Sequence, residues 1–158
     1  MNDYMKIAID LSSENLEKGF GGPFGACIVR DGKIIGKGIN KVIKDNDPTA
    51  HAEMNAIREA CKNIDSYDLS GCELYTSCYP CPMCLSAIIW SNIKTVYYAN
   101  KKEDAEEIGF RDDYIYEFID KLSNEKKDET VLSLKSLNRD EALEVFKRYK
   151  EDKDKIVY

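Results

Sequence analysis

The stretch Pro80-Cys81-Pro82-Met83-Cys84-Leu85-Ser86-Ala87-Ile88-Ile89-Trp90 decides how this chain folds. Two cysteines three apart share one face of a helix start. Pro82 suits the first helical position, where its missing N–H is not needed. The apolar run Leu85, Ala87, Ile88, Ile89 and Trp90 then reads as a buried helix. Residues 72–76 before it and 95–99 after it are strand-like, rich in β-branched and aromatic side chains. Strand, helix and strand in this order imply a parallel pair joined by a crossover helix, and so an α/β fold.

Working outward, residues 3–18 carry Tyr4, Ile7, Ala8, Leu11 and Leu16 at near-helical spacing, and Gly19 ends the helix. Residues 24–29 and 33–38 read as two strands around Arg30-Asp31-Gly32, whose Asp-Gly is a hairpin signal. Pro48-Thr49-Ala50 leads into a further helix that begins at His51. Residues 113–122 read as helical and 131–134 as a short strand. Asn138-Arg139-Asp140-Glu141 has the outline of a capping box, ahead of a helix with Leu143, Phe146 and Tyr149 on one side. At 158 residues, without an internal repeat, the chain reads as a single domain spanning 1–158.

The single histidine, His51, lies in Thr49-Ala50-His51-Ala52-Glu53. An imidazole with the thiolates of Cys81 and Cys84 gives zinc three protein ligands and leaves a fourth position for water. Glu53, two residues on, is placed to move that water's protons. Helix N-termini behind both halves favour thiolate over thiol. A C-x-x-C alone reads equally as a redox pair or half of a structural zinc site, with Cys78 as a fourth ligand. Glu53 would then have no task beside the metal.

Six cysteines, no secretory leader pattern and no apolar stretch of membrane length favour a reducing, cytoplasmic setting. Cys27, Cys61 and Cys72 read as inert core thiols. The net charge of −6 counts against a nucleic-acid partner, because Lys and Arg are interspersed with Asp and Glu and form no stripe.

H-x-E followed by P-C-x-x-C is the signature pattern of zinc nucleobase deaminases. With Gly21-Gly22-Pro23-Phe24-Gly25-Ala26, Asn46-Asp47-Pro48-Thr49, Tyr75-Thr76-Ser77-Cys78, Asp104-Ala105, Gly109-Phe110-Arg111-Asp112-Asp113 and the terminal Tyr158, the chain resembles the cytidine deaminase-like superfamily. Within it, the chain is similar to the guanine deaminases of bacterial type.

The resemblance implies a three-layer α/β/α fold around a mixed sheet of about five strands, with one Zn2+ per subunit. It also implies a homodimer whose C-terminal segment, from about residue 130, can be exchanged between subunits. It assigns hydrolysis of a purine base, guanine to xanthine and ammonia, with Glu53 and Asp112 catalytic and Asp113 as the alternative second carboxylate. Phe24, Asn40, Trp90 and Tyr158 become candidates for substrate contact, although Phe24 reads equally as a core aromatic and Trp90 reads first as core packing and only second as pocket lining. Tyr79 departs from the pattern, which often has glutamate before Pro80. Other substrates remain open: a purine nucleoside, cytosine, a deoxynucleotide or adenosine in transfer RNA. From a different class comes a non-catalytic zinc-stabilised module.

Overall fold

A computed structural model describes residues 2–158. Helix α1 (Asp3–Lys18) starts where the Asn2 side chain accepts from the N–H groups of Tyr4 and Met5, and it ends at Gly19, in the left-handed region at φ 64°. Strands β1 (Gly25–Arg30) and β2 (Lys33–Ile39) form an antiparallel hairpin. Its two turn residues, Asp31 and Gly32, have φ of 50° and 73°, the pair of positive values that a tight hairpin turn demands. A short helix α2 (Val42–Asp45) precedes α3 (Ala52–Ile64). Strand β3 (Glu73–Cys78), helix α4 (Pro82–Trp90) and strand β4 (Thr95–Asn100) make the expected crossover, with β3 and β4 parallel.

The sheet order is β2-β1-β3-β4, antiparallel except for the last pair. Alternation along β1 splits the core. Ala26 and Ile28 face Ala52, Ala56, Ala60, Leu74 and Ile88 on the side of α3 and α4. Cys27 and Val29 face Ala8 and Tyr75 on the side of α1. Helices on both faces of one sheet give the α/β/α layering. Helix α3 lies very close to β2: a Cβ on Gly38 would come within 2.0 Å of the Ala52 carbonyl oxygen. The alanines at 52, 56 and 60 supply the matching smooth face.

Two expectations are corrected. The sheet has four strands among the described residues, not five; residues 131–134 form no strand, and Leu132 and Leu134 are exposed. Asn138 does begin a helix but builds no capping box. Its backbone is left-handed (φ 52°), where the side chain does not reach the first-turn N–H groups, and its Nδ2 donates instead to Glu141 Oε2 at 2.9 Å.

Helices α5 (Lys102–Glu107) and α6 (Asp112–Ser123) follow β4, and α7 (Arg139–Glu151) lies near the C-terminus. The chain divides into two compact units, the first ending at Tyr116 and the second comprising Glu117–Tyr158. Within the second unit, Lys121 pairs with Asp128 at 2.6 Å, and on α7 Leu143 is half-buried while Phe146 and Tyr149 are exposed. No helix among the described residues is long and apolar enough to cross a membrane.

Candidate metal centre and substrate cavity

His51 and Cys81 are both N-caps, of α3 and α4, with extended backbones (φ −70°, ψ 161° and φ −66°, ψ 167°). Neither side chain caps its own helix. Each turns to the other instead: His51 Nδ1 lies 3.5 Å from Cys81 Sγ and 3.7 Å from Cys84 Sγ. Among the described residues these three form the one cluster suited to a metal, with ligand atoms all within 4.8 Å of one another. Zinc bonded tetrahedrally at about 2.0–2.1 Å to nitrogen and about 2.3 Å to sulfur holds such atoms about 3.6 Å apart, so the donor set fits zinc.

The electrostatics agree. A hydrogen bond from Cys84 comes first among the effects that hold the Cys81 thiol down to about 4, with His51 adding to it. Cys84 is pushed up by that same bond and by burial. The two sulfurs titrate as a pair, with Cys81 the more acidic. Contact with the Cys81 sulfur raises His51 in turn. A divalent cation held by the three atoms would displace thiol protons and compensate the buried charge.

Cys78 stands apart from the cluster. Its thiol donates to the Lys101 carbonyl at 3.5 Å, and burial pushes it up to about 11. A structural zinc with four protein ligands would therefore lack its fourth among these residues.

Glu53, in the first turn of α3, is buried beside the cluster. Its Oε1 accepts from the Thr76 hydroxyl at 3.0 Å and its Oε2 accepts from Cys84 Sγ at 3.5 Å. Burial pushes its carboxyl above the ordinary range, so it holds a proton more readily than an exposed glutamate. The adjoining cavity is small and tight, about 30 Å³. His51, Glu53, Cys78 and Cys81 line its floor; Phe24, Asn40, Tyr79, Phe110 and Asp112 complete the lining. Phe24 meets Phe110 edge to face with ring centroids 4.8 Å apart. Gly22 makes room for the pair, since a Cβ there would lie 2.6 Å from Phe110 and 2.7 Å from Phe24. Asp112, the first residue of α6, is pushed up by burial and then by the charge on Cys81.

Of the sequence-derived candidates, the structure brings Phe24, Asn40, His51, Glu53, Cys81, Cys84 and Asp112 together. Trp90 lies at the last turn of α4, is 64% exposed and is not among the residues of its own chain that line the cavity. Tyr158 belongs to the second unit and is exposed. Thr76 and the wall-forming role of Phe110 went unassigned.

Residues 1–100 match the model of the cytidine and deoxycytidylate deaminase zinc-binding region. The chain belongs to this zinc deaminase family. A guanine deaminase from Bacillus subtilis is 54% identical over 123 residues, covering 78% of this chain and 79% of its own length. The crystal structure of a guanine deaminase from Bacillus subtilis superposes with a TM-score of 0.90 at 46% identity, over 100% of this chain and 99% of that one. A tRNA-specific adenosine deaminase from Aquifex aeolicus is 45% identical over 96 residues, covering 61% of this chain and 63% of its own length. As a family member, the protein is a zinc-dependent hydrolase with the cytidine deaminase-like fold, and His51, Cys81 and Cys84 are suited to hold one zinc.

Proposed function

We propose that the protein hydrolyses guanine to xanthine and ammonia. One observation carries this reading: the His51, Cys81 and Cys84 cluster, with a buried carboxyl beside it, opens into a narrow cavity with paired aromatic rings. Likeness to a guanine deaminase over the whole chain supports the choice of base, whereas the likeness to tRNA deaminases covers about two-thirds of the chain or less.

Zinc, when bound, supplies a water acidic enough to act as nucleophile near neutral pH. The remaining chemistry belongs to side chains. Phe24 packs on the purine face and Asn40 bonds the base edge. Glu53 accepts a proton from the water as its oxygen bonds to C2, and delivers that proton to the adjacent ring nitrogen. The C2–N bond then breaks. The proton left on the new C2 hydroxyl passes through a carboxylate to the departing amine, so that C2=O forms and ammonia leaves. Asp112 holds this second position, with Asp113 as the alternative. Two carboxyls in different environments suit two transfers of opposite direction.

The working unit is a cytoplasmic homodimer with one zinc per subunit, in which the segment from about residue 130 is exchanged and Tyr158 covers the neighbouring site. Six free cysteines suit a reducing compartment. Exposed Ile89, Trp90, Tyr97 and Tyr98 give an apolar surface for pairing.

The test is ammonia release by the zinc-loaded protein from guanine, guanosine, adenine, cytosine and cytidine separately. Selective release from guanine, with xanthine as product, is expected. Release from a different amine moves the pocket assignment. Silence on all five removes the reading.

A further inference from the structure

Asn15 is fully buried in α1, in line with Ala8 and Leu11 on the face where helical spacing calls for an apolar residue. Its Nδ2 donates two hydrogen bonds, to the Gly22 carbonyl at 2.8 Å and the Asn40 carbonyl at 2.9 Å. Its Oδ1 is buried without a hydrogen-bond partner. Two carbonyls fix which way the amide points, since the reverse orientation would set oxygen against oxygen. An unsatisfied buried acceptor is costly, so the position is occupied for the sake of the two donors.

Those donors reach the two segments that border the cavity on either side of the β1–β2 hairpin. The segment before β1 carries Gly22 and Phe24, and Gly22 O also accepts from Phe24 N at 2.8 Å. The segment after β2 carries Asn40, whose N–H donates to Phe24 O at 3.2 Å and whose Oδ1 accepts from Val42 N at 3.1 Å. The two segments pack tightly: a Cβ on Gly21 would lie 2.0 Å from Asn40 Oδ1. The amide therefore ties the Gly22 end of the Phe24 segment to Asn40, reinforcing the direct Asn40 N–H to Phe24 O bond, yet it does not line the cavity.

We infer that Asn15 is a positioning residue for substrate, fixing the distance between Phe24 and Asn40 and so the affinity for the base. The inference rests on the reading of this cavity as the guanine pocket. It differs from a general stability role in where its effect falls. The zinc ligands and Glu53 sit on other elements, α3 and α4, so capture of the base weakens while the chemical step and the metal are spared.

The test is steady-state kinetics on guanine with zinc-loaded Asn15→Leu, which keeps the branching of the side chain and removes both donors, alongside wild type. KM is expected to rise about tenfold, in keeping with the cost of misplacing a substrate-holding group. Zinc per chain, kcat and its pH profile are expected to stay near wild type. Should Asn15→Leu fail to fold, Asn15→Ser, which keeps one donor, is expected to give a smaller rise in KM. A folded, zinc-loaded variant with unchanged KM overturns the inference, as does one whose loss is confined to melting temperature or kcat. A wild type inactive on guanine overturns the guanine reading and this inference with it.

Discussion

Glu53 has a hydroxyl on one carboxylate oxygen and a thiol on the other, and no exposed surface to speak of. In that environment burial raises the carboxyl above the ordinary range, which suits the proton-carrying role proposed for it. The delivery of His51 depends on an equally local device. Asp47 Oδ1 accepts from Thr49 N at 2.8 Å and from Thr49 Oγ1 at 2.7 Å, which turns the chain into α3. These bonds, the hydroxyl first, hold the Asp47 carboxyl below the usual range. A lowered folded pKa contributes stability that is present above the unfolded value of about 3.9 and is lost as pH falls through the folded one. Urea midpoints between pH 6 and pH 3 should therefore fall less steeply for Asp47→Asn than for wild type. The metal ligands were legible in the sequence because zinc demands few residue types at fixed spacing. Phe110, Thr76 and Asn15 were not, since each acts through a contact with a chain segment far away in sequence.

Elements whose sequence carries their own stop signals were legible closely. Helix α1 was read over 3–18 with Gly19 ending it, as found, and Asp31-Gly32 closes the hairpin, whose strands were read to within a residue at their ends. Residues 131–134 had a strand-like composition but no pairing partner, and composition cannot supply one. The contact of α3 on β2 is a different case, because it depends on what is missing. Gly38→Ala puts a methyl group against the Ala52 carbonyl and the Ala56 N–H. The expected loss is about 1–3 kcal/mol, read from chemical denaturation. Because Ala52 directly follows His51, a weakened zinc affinity should accompany it, measured by competition with a chelator.

Across the whole molecule, the layered unit ending at Tyr116 contains every group that lines the cavity, while the unit from Glu117 ends in exposed Ile156, Val157 and Tyr158. If the tail of one subunit covers its neighbour's site, deletion of Tyr158 should raise KM for guanine several-fold with zinc content unchanged. Light scattering should then give twice the mass of one chain for both proteins. An unchanged KM would leave the terminal ring without a part in catalysis. The fifth strand expected of the sheet illustrates a limit of reading by resemblance. The number of strands is set by which segments find an open edge, and β4 keeps its outer edge unpaired among the described residues.

The proposed reaction depends on Glu53 to move protons beside zinc. The most direct measurement is xanthine formation from guanine by Glu53→Gln and wild type at matched zinc content. Unchanged zinc with turnover lower by about 10²–10⁴-fold is the predicted result, the range expected for loss of a general acid–base. Near-wild-type turnover in the zinc-loaded variant would contradict it.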